Sequence, residues 1–132
     1  MHINDKTILI DLDGVINSYN GVFDKDFIPE PKQGVDNFLK ELSAHAKLYI
    51  FTSRKKSSVL KWLKTNDLDK YFTDITNKKL PAYLYIDDRA VCFKGNYNEL
   101  LDEIYNFNVY WKKCPSGVNN HCLRNNIKAK SV

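Results

Sequence analysis

Cysteine is scarce in this chain. Cys92, Cys114 and Cys122 are the three in 132 residues, and no two form a CxxC pair. An odd, widely spaced set argues against a disulfide framework and suits free thiols in a reducing, cytoplasmic setting. The Cys114–Cys122 spacing, even with His121 beside it, is not one that zinc sites use. Long apolar runs are also missing: none approaches the roughly 18 residues of a membrane span. The first six residues lack a basic segment leading into an apolar stretch, so no secretory signal is expected. Acidic residues are absent from one region altogether. Five of the twenty bases and none of the sixteen acids lie after Trp111, giving that tail +5 and the preceding residues −1. A basic tail over residues 112–132, rich in asparagine, reads as a solvated extension able to make weak contact with nucleic acid or another anionic surface.

What is present fits one globular domain over about residues 1–111. Hydrophobic residues make up 43% and charged residues 27%, an ordinary balance for a buried core under a charged surface. Strand and helix signals alternate. Thr7–Ile10 is an apolar run ending at Asp11, as a buried parallel strand would be. A polar and aromatic stretch with Gly21, Pro29 and Pro31 follows and reads as a flap over about residues 15–33. Its aromatic residues Tyr19, Phe23 and Phe27 serve either substrate choice or the packing of the loop. Val35, Phe38, Leu39 and Leu42 then share one helix face. Lys47–Phe51 reads as a second strand, Val59, Trp62 and Leu63 as a second helix ending near Asn66, Phe72–Ile75 as a short strand, and Tyr83–Ile86 as another buried strand. Asn96 and Glu99 resemble a capping box that opens a helix with Leu100, Leu101 and Ile104 inward. Asn108–Trp111 reads as an edge strand.

Such alternation predicts an α/β fold with a doubly wound, Rossmann-like parallel sheet. In sheets of this kind the ligand site lies outside the carboxyl ends of the strands. The polar groups there are Asp11 and Asp13, Thr52 and Ser53, and Asp87 and Asp88, so one crevice should gather them. Asp11 and Asp13 stand two apart in extended chain and share a face, and Gly14 lets the backbone turn close to a ligand. Two adjacent carboxylates repel unless a cation lies between them or one keeps its proton. A hard cation such as Mg²⁺ takes oxygen ligands, and Asp87 and Asp88 can complete its sphere. A threonine or serine hydroxyl, a helix start and a lysine (Lys78 or Lys79) would hold the oxygens of a phosphoryl group. A calcium loop does not fit, because Gly14 comes too early and Val22 stands where its last acidic ligand belongs.

The segments Ile8–Val15 (Ile-Leu-Ile-Asp-Leu-Asp-Gly-Val), Leu48–Arg54 and Tyr85–Ala90 (Tyr-Ile-Asp-Asp-Arg-Ala), with a lysine before the last, resemble the motifs of the haloacid dehalogenase (HAD) superfamily of phosphohydrolases over about residues 6–110. The resemblance implies a Mg²⁺-dependent phosphatase. Asp11 would be the nucleophile that forms an aspartyl phosphate and Asp13 the general acid and base. Thr52, Ser53, Arg54 and Gly14 would contact substrate, with Thr52 the better match to the family's hydroxyl. Lys79 matches the family lysine better than Lys78, and Asp11, Asp13 (through its carbonyl), Asp87 and Asp88 would hold the metal. About twenty residues separate Gly14 from the first helix, too few for a cap domain, so a small capless member is implied. Its substrate would be a phosphorylated small molecule or a nucleic-acid end. Asp87-Asp88-Arg89 is also similar to polynucleotide 3′-phosphatase domains, which makes a polynucleotide 3′-phosphatase or nucleotidase one alternative. A catalytically inactive HAD-like binding module is another. A response-regulator receiver uses similar residues, but in a different order along the chain.

Overall fold

The computed structural model describes residues 3–112. The expected basic tail from residue 113 onward, with Cys114, His121 and Cys122, lies outside the described residues. The chain divides into two compact units, Met1–Asp87 and Asp88–Val132.

The first unit is an α/β layer built on a four-stranded, all-parallel sheet. Its strands are β1 (Thr7–Asp11), β2 (Lys47–Phe51), β3 (Asp74–Thr76) and β4 (Leu84–Ile86), in the order β3-β2-β1-β4. Helices α1 (Val35–Ser43) and α2 (Lys56–Thr65) form the β1–β2 and β2–β3 crossovers, and a 3₁₀ turn at Asp69–Tyr71 leads into β3. Both crossovers run the same way along the sheet, which for right-handed connections puts α1 and α2 on one face. The return from β3 to β4, residues 77–83, contains no helix.

β1 is an interior strand, flanked by β2 and β4. Ile8, Leu9 and Ile10 are all buried, as a strand covered on both faces should be. The core joins Ile8, Ile10 and Leu12 to Leu48 and Ile50 of β2, Leu39 of α1, and Val59 and Leu63 of α2. The helical periodicity placed the buried positions Val35 and Leu39 of α1 and Val59 and Leu63 of α2 correctly. Phe38, expected on the same inward face, is instead 44% exposed. The expected strand before Asp87 forms, but among the described residues it is an edge of the sheet, and Leu84 and Tyr85 keep exposed side chains.

The second unit begins at Asp88 and contains α3 (Tyr97–Tyr105). Asn96 caps it: its side chain accepts the Glu99 N–H at 3.0 Å, which satisfies one donor of the first turn. Leu101 and Ile104, expected inward, are exposed, and α3 has no buried residue. Amphipathic spacing shows which side chains share a face and is silent on whether anything covers that face. Asn108–Trp111 does not form the expected strand, although Val109 is buried.

Candidate active site

The sheet order locates the crevice. From β1 the chain moves outward to β2 and β3, then returns to the far side of β1 as β4. The order reverses between β1 and β4, and ligands of open α/β sheets bind at such a reversal, beyond the carboxyl ends of the strands. Ile10 pairs with Ile86 and Asp11 with Phe51. Asp11 and Asp87 therefore emerge from neighbouring strands at the same level, with Thr52 one residue beyond. Asp88, bonded to Asp87, is the first residue of the second unit.

Asp11, Asp87 and Asp88 each offer a carboxylate oxygen, and these oxygens lie within 4.8 Å of one another. Opposite ligands on an octahedral Mg²⁺ stand about 4.1 Å apart, given metal–oxygen bonds of about 2.0–2.1 Å. The donor set is all oxygen and dense in negative charge, so these residues fit a hard divalent cation, and like-charge repulsion favours one there. Within the second unit, Trp111 donates its indole N–H to Asp88, and the Arg89 guanidinium lies over the Trp111 ring.

Asp13 is placed differently from Asp11. Its Oδ2 accepts Arg54 Nε at 2.8 Å, and its Oδ1 accepts Arg54 Nη2 at 3.1 Å and Asn17 Nδ2 at 3.0 Å. The pair is enclosed, with 3% of the Arg54 side chain and 18% of the Asp13 side chain exposed. Arg54, expected among the substrate contacts, is thus engaged with Asp13. The remaining guanidinium nitrogen, Nη1, donates to the Asp24 carbonyl at 2.8 Å, and Cζ lies 4.4 Å from the centroid of the Phe23 ring.

The turn after β1 explains how Asp13 is held. The Leu12 carbonyl accepts the N–H groups of Val15, Ile16 and Asn17. Gly14 takes φ 88°, a conformation that favours glycine. Asn17 is wholly buried. Its Oδ1 accepts the N–H groups of Gly14 and Tyr19, both at 3.1 Å, while its amide donates to Asp13. Sequence reasoning placed Asn17 at the start of a loop and gave it no role. The available signal was an amide soon after an Asp-x-Asp-Gly turn, whose tight backbone needs an acceptor.

Thr52 is buried, and its hydroxyl oxygen accepts the Arg54 N–H at 3.1 Å, so it closes a local turn. The N-cap position of α2 falls to Lys55, without a side-chain cap. A cavity of about 500 Å³ opens beside it, lined by Thr52, Ser53, Arg54, Lys55, Lys56 and Lys78, among others. Of the two candidate lysines, Lys78 lines this cavity, and Lys79 lies with Nζ 4.9 Å from the centroid of the Tyr85 ring. Asp74 also lines the cavity. The hydrogen bond from Lys56 at 2.8 Å, with the Ile75 N–H second, holds its carboxyl below the ordinary value.

The flap is a closed excursion. Ser18 N–H bonds the Glu30 carbonyl and Lys32 N–H bonds the Ile16 carbonyl, both at 2.9 Å. Its tip turns at Asp24–Phe27, where Asp24 Oδ1 accepts the Asp26 N–H at 2.8 Å. Phe23 and Phe27 are more than half exposed.

No family model matches the chain, and no curated protein matches it. Among solved structures, a conserved protein from Bacteroides thetaiotaomicron is similar at a TM-score of 0.51 and 23% sequence identity, over 77% of this chain and 91% of that one. At that identity the likeness shows the fold alone, an α/β domain with a parallel sheet. Among the described residues, no helix is long and apolar enough to cross a membrane.

Proposed function

We propose that this chain is a Mg²⁺-dependent phosphomonoester hydrolase of the HAD type, small and capless, working through an aspartyl phosphate on Asp11. The observation that carries the reading is the meeting of Asp11 with Asp87 and Asp88 at the reversal of strand order, next to the strand end that bears Thr52. Asp11 attacks phosphorus in line with the ester oxygen, and the P–O ester bond breaks as the acyl-phosphate bond forms. Asp13 gives its proton to the departing oxygen, then takes one from the water that cleaves the aspartyl phosphate. Both Asp13 oxygens already accept hydrogen bonds, so carrying that proton displaces a donor of Arg54 or Asn17. Asp11, Asp87 and Asp88 would hold Mg²⁺, which supplies fixed positive charge to the phosphoryl oxygens.

The Thr52 and Ser53 hydroxyls and the lysine-rich cavity beside them suit an anionic ester. None of Asp11, Asp13, Asp87 and Asp88 lines that cavity; the substrate class stays a nucleotide, another phosphorylated small molecule or a nucleic-acid end. The closed engagement of Asp13 by Arg54 favours a second reading, a HAD-like module that binds phosphate without turnover.

Phosphate release from an aryl phosphate, with Mg²⁺ and with EDTA, in wild type beside Asp11→Asn, separates the two. Metal-dependent release that falls by orders of magnitude in the variant supports the hydrolase. Near-normal hydrolysis by Asp11→Asn overturns the nucleophile assignment. Absence of turnover on aryl, nucleotide and 3′-phosphorylated DNA substrates alike favours the binding module.

A further inference from the structure

The flap reaches Asp13 from its base through Asn17 and from its tip through Arg54. Two nitrogens of the Arg54 guanidinium bond Asp13, the third bonds the Asp24 carbonyl of the flap, and one face of the group lies against Phe23. All five donors of an arginine fork have fixed directions, so a guanidinium anchored on its outer side presents its inner side at a set angle. Phe23 is 54% exposed, which is more than burial of an aromatic in the core would leave. Its ring instead meets the cation at a distance where the ring quadrupole attracts it. The base of the flap is secured separately, by Ser18–Glu30 and Ile16–Lys32, so its closure there does not depend on Phe23.

The geometry points to Phe23 as a positioning residue for Asp13: the Phe23 ring and the Asp24 carbonyl fix the Arg54 guanidinium, and the guanidinium fixes the carboxylate. Its kinetic consequence rests on the phosphatase reading; the mechanical linkage does not. With Phe23 in place Asp13 is presented in one orientation. Without the ring the guanidinium is freer to rotate, and the carboxylate follows it.

The test compares the full chain as wild type, Phe23→Leu and Phe23→Tyr, the last of which keeps the aromatic face. Hydrogen exchange of the Arg54 Nε–H, followed by ¹⁵N NMR, should rise about three- to tenfold in Phe23→Leu and stay near wild type in Phe23→Tyr. With Mg²⁺ and an aryl phosphate, kcat should fall by a similar factor in Phe23→Leu while KM holds, and Phe23→Tyr should restore it. In an Arg54→Lys background, Phe23→Leu should add little, because the path it acts through is already broken. Unchanged Nε–H exchange in Phe23→Leu overturns the linkage. A raised KM with kcat intact overturns the positioning role and makes the ring a substrate contact. If wild type turns over no phosphate ester, the phosphatase reading fails, and the exchange measurement still decides the linkage.

Discussion

Ile10 of β1 stands opposite Ile86 of β4 in parallel register, so Asp11 and Asp87 leave the sheet side by side. Main-chain pairing sets the two Cα positions side by side, and the side chains bring their carboxylates together. Such an arrangement is held against electrostatic repulsion.

Removing one of these acids should relieve the repulsion and damage the cation site together. Asp87→Ala is expected to leave the thermal midpoint of the metal-free chain unchanged or raised. The Mg²⁺ concentration that gives half of the metal-induced stabilisation should rise on the order of tenfold or more. Thermal unfolding across a Mg²⁺ titration checks both. An unaltered half-saturation removes Asp87 from the ligand set.

Asp13 and Arg54 form an enclosed ion pair, and losing one member leaves the other uncompensated. Asp13→Ala and Arg54→Ala should each destabilise the chain by about 3–5 kcal/mol. The double variant should cost clearly less than the two together. Urea unfolding of the four proteins measures this. Simple additivity would mean that the pair is not coupled in solution.

Asn17 satisfies two backbone N–H groups and Asp13 from a wholly buried position. Asn17→Ala should cost about 2–3 kcal/mol, since it leaves buried partners unmet. Asn17→Asp should cost more, because it replaces the amide donor with a second acid beside Asp13. Denaturant midpoints rank the two variants, and equal midpoints would count against the role of the amide.

The carboxyl of Asp74 is held below its ordinary value, first by the Lys56 hydrogen bond and second by the Ile75 N–H. A depressed folded-state value means a contribution present at and above the ordinary carboxylate range. That contribution is lost as pH falls through the depressed value. Half of the Asp74 side chain is exposed, so it should amount to less than about 1 kcal/mol. Wild type and Asp74→Asn should therefore differ in thermal midpoint at pH 7 and converge toward pH 3. A gap that persists at low pH would assign the difference to something other than this ion pair.

Local periodicity made the framework legible. Short apolar runs just before Asp11 and Thr52 marked β1 and β2, and helical spacing found the buried Val59 and Leu63. The gathering of Asp11, Thr52 and Asp87 followed from strand alternation, because parallel strands bring their carboxyl ends to one edge. What the pattern could not show was coverage. Leu101 and Ile104 have the spacing of an inward face and remain exposed. The Arg54–Asp13 pair spans 41 positions, beyond the reach of any local signal. Lys78 and Lys79 are adjacent and chemically alike. The turn in which Thr76 Oγ1 accepts the Lys78 N–H at 3.0 Å is part of what directs them apart, and that turn depends on where β3 ends.

The sheet has one further property. Its two outermost strands, β3 and β4, are also its shortest, at three residues each. A stray extended chain gains by adding hydrogen bonds along an edge, and its gain grows with the length of edge on offer. Here a passing strand would find room for only a few bonds on either side before the backbone turns away. At high concentration the sheet is thus a poor seed for edge-to-edge aggregation, even though Leu84 and Tyr85 show apolar surface on one rim.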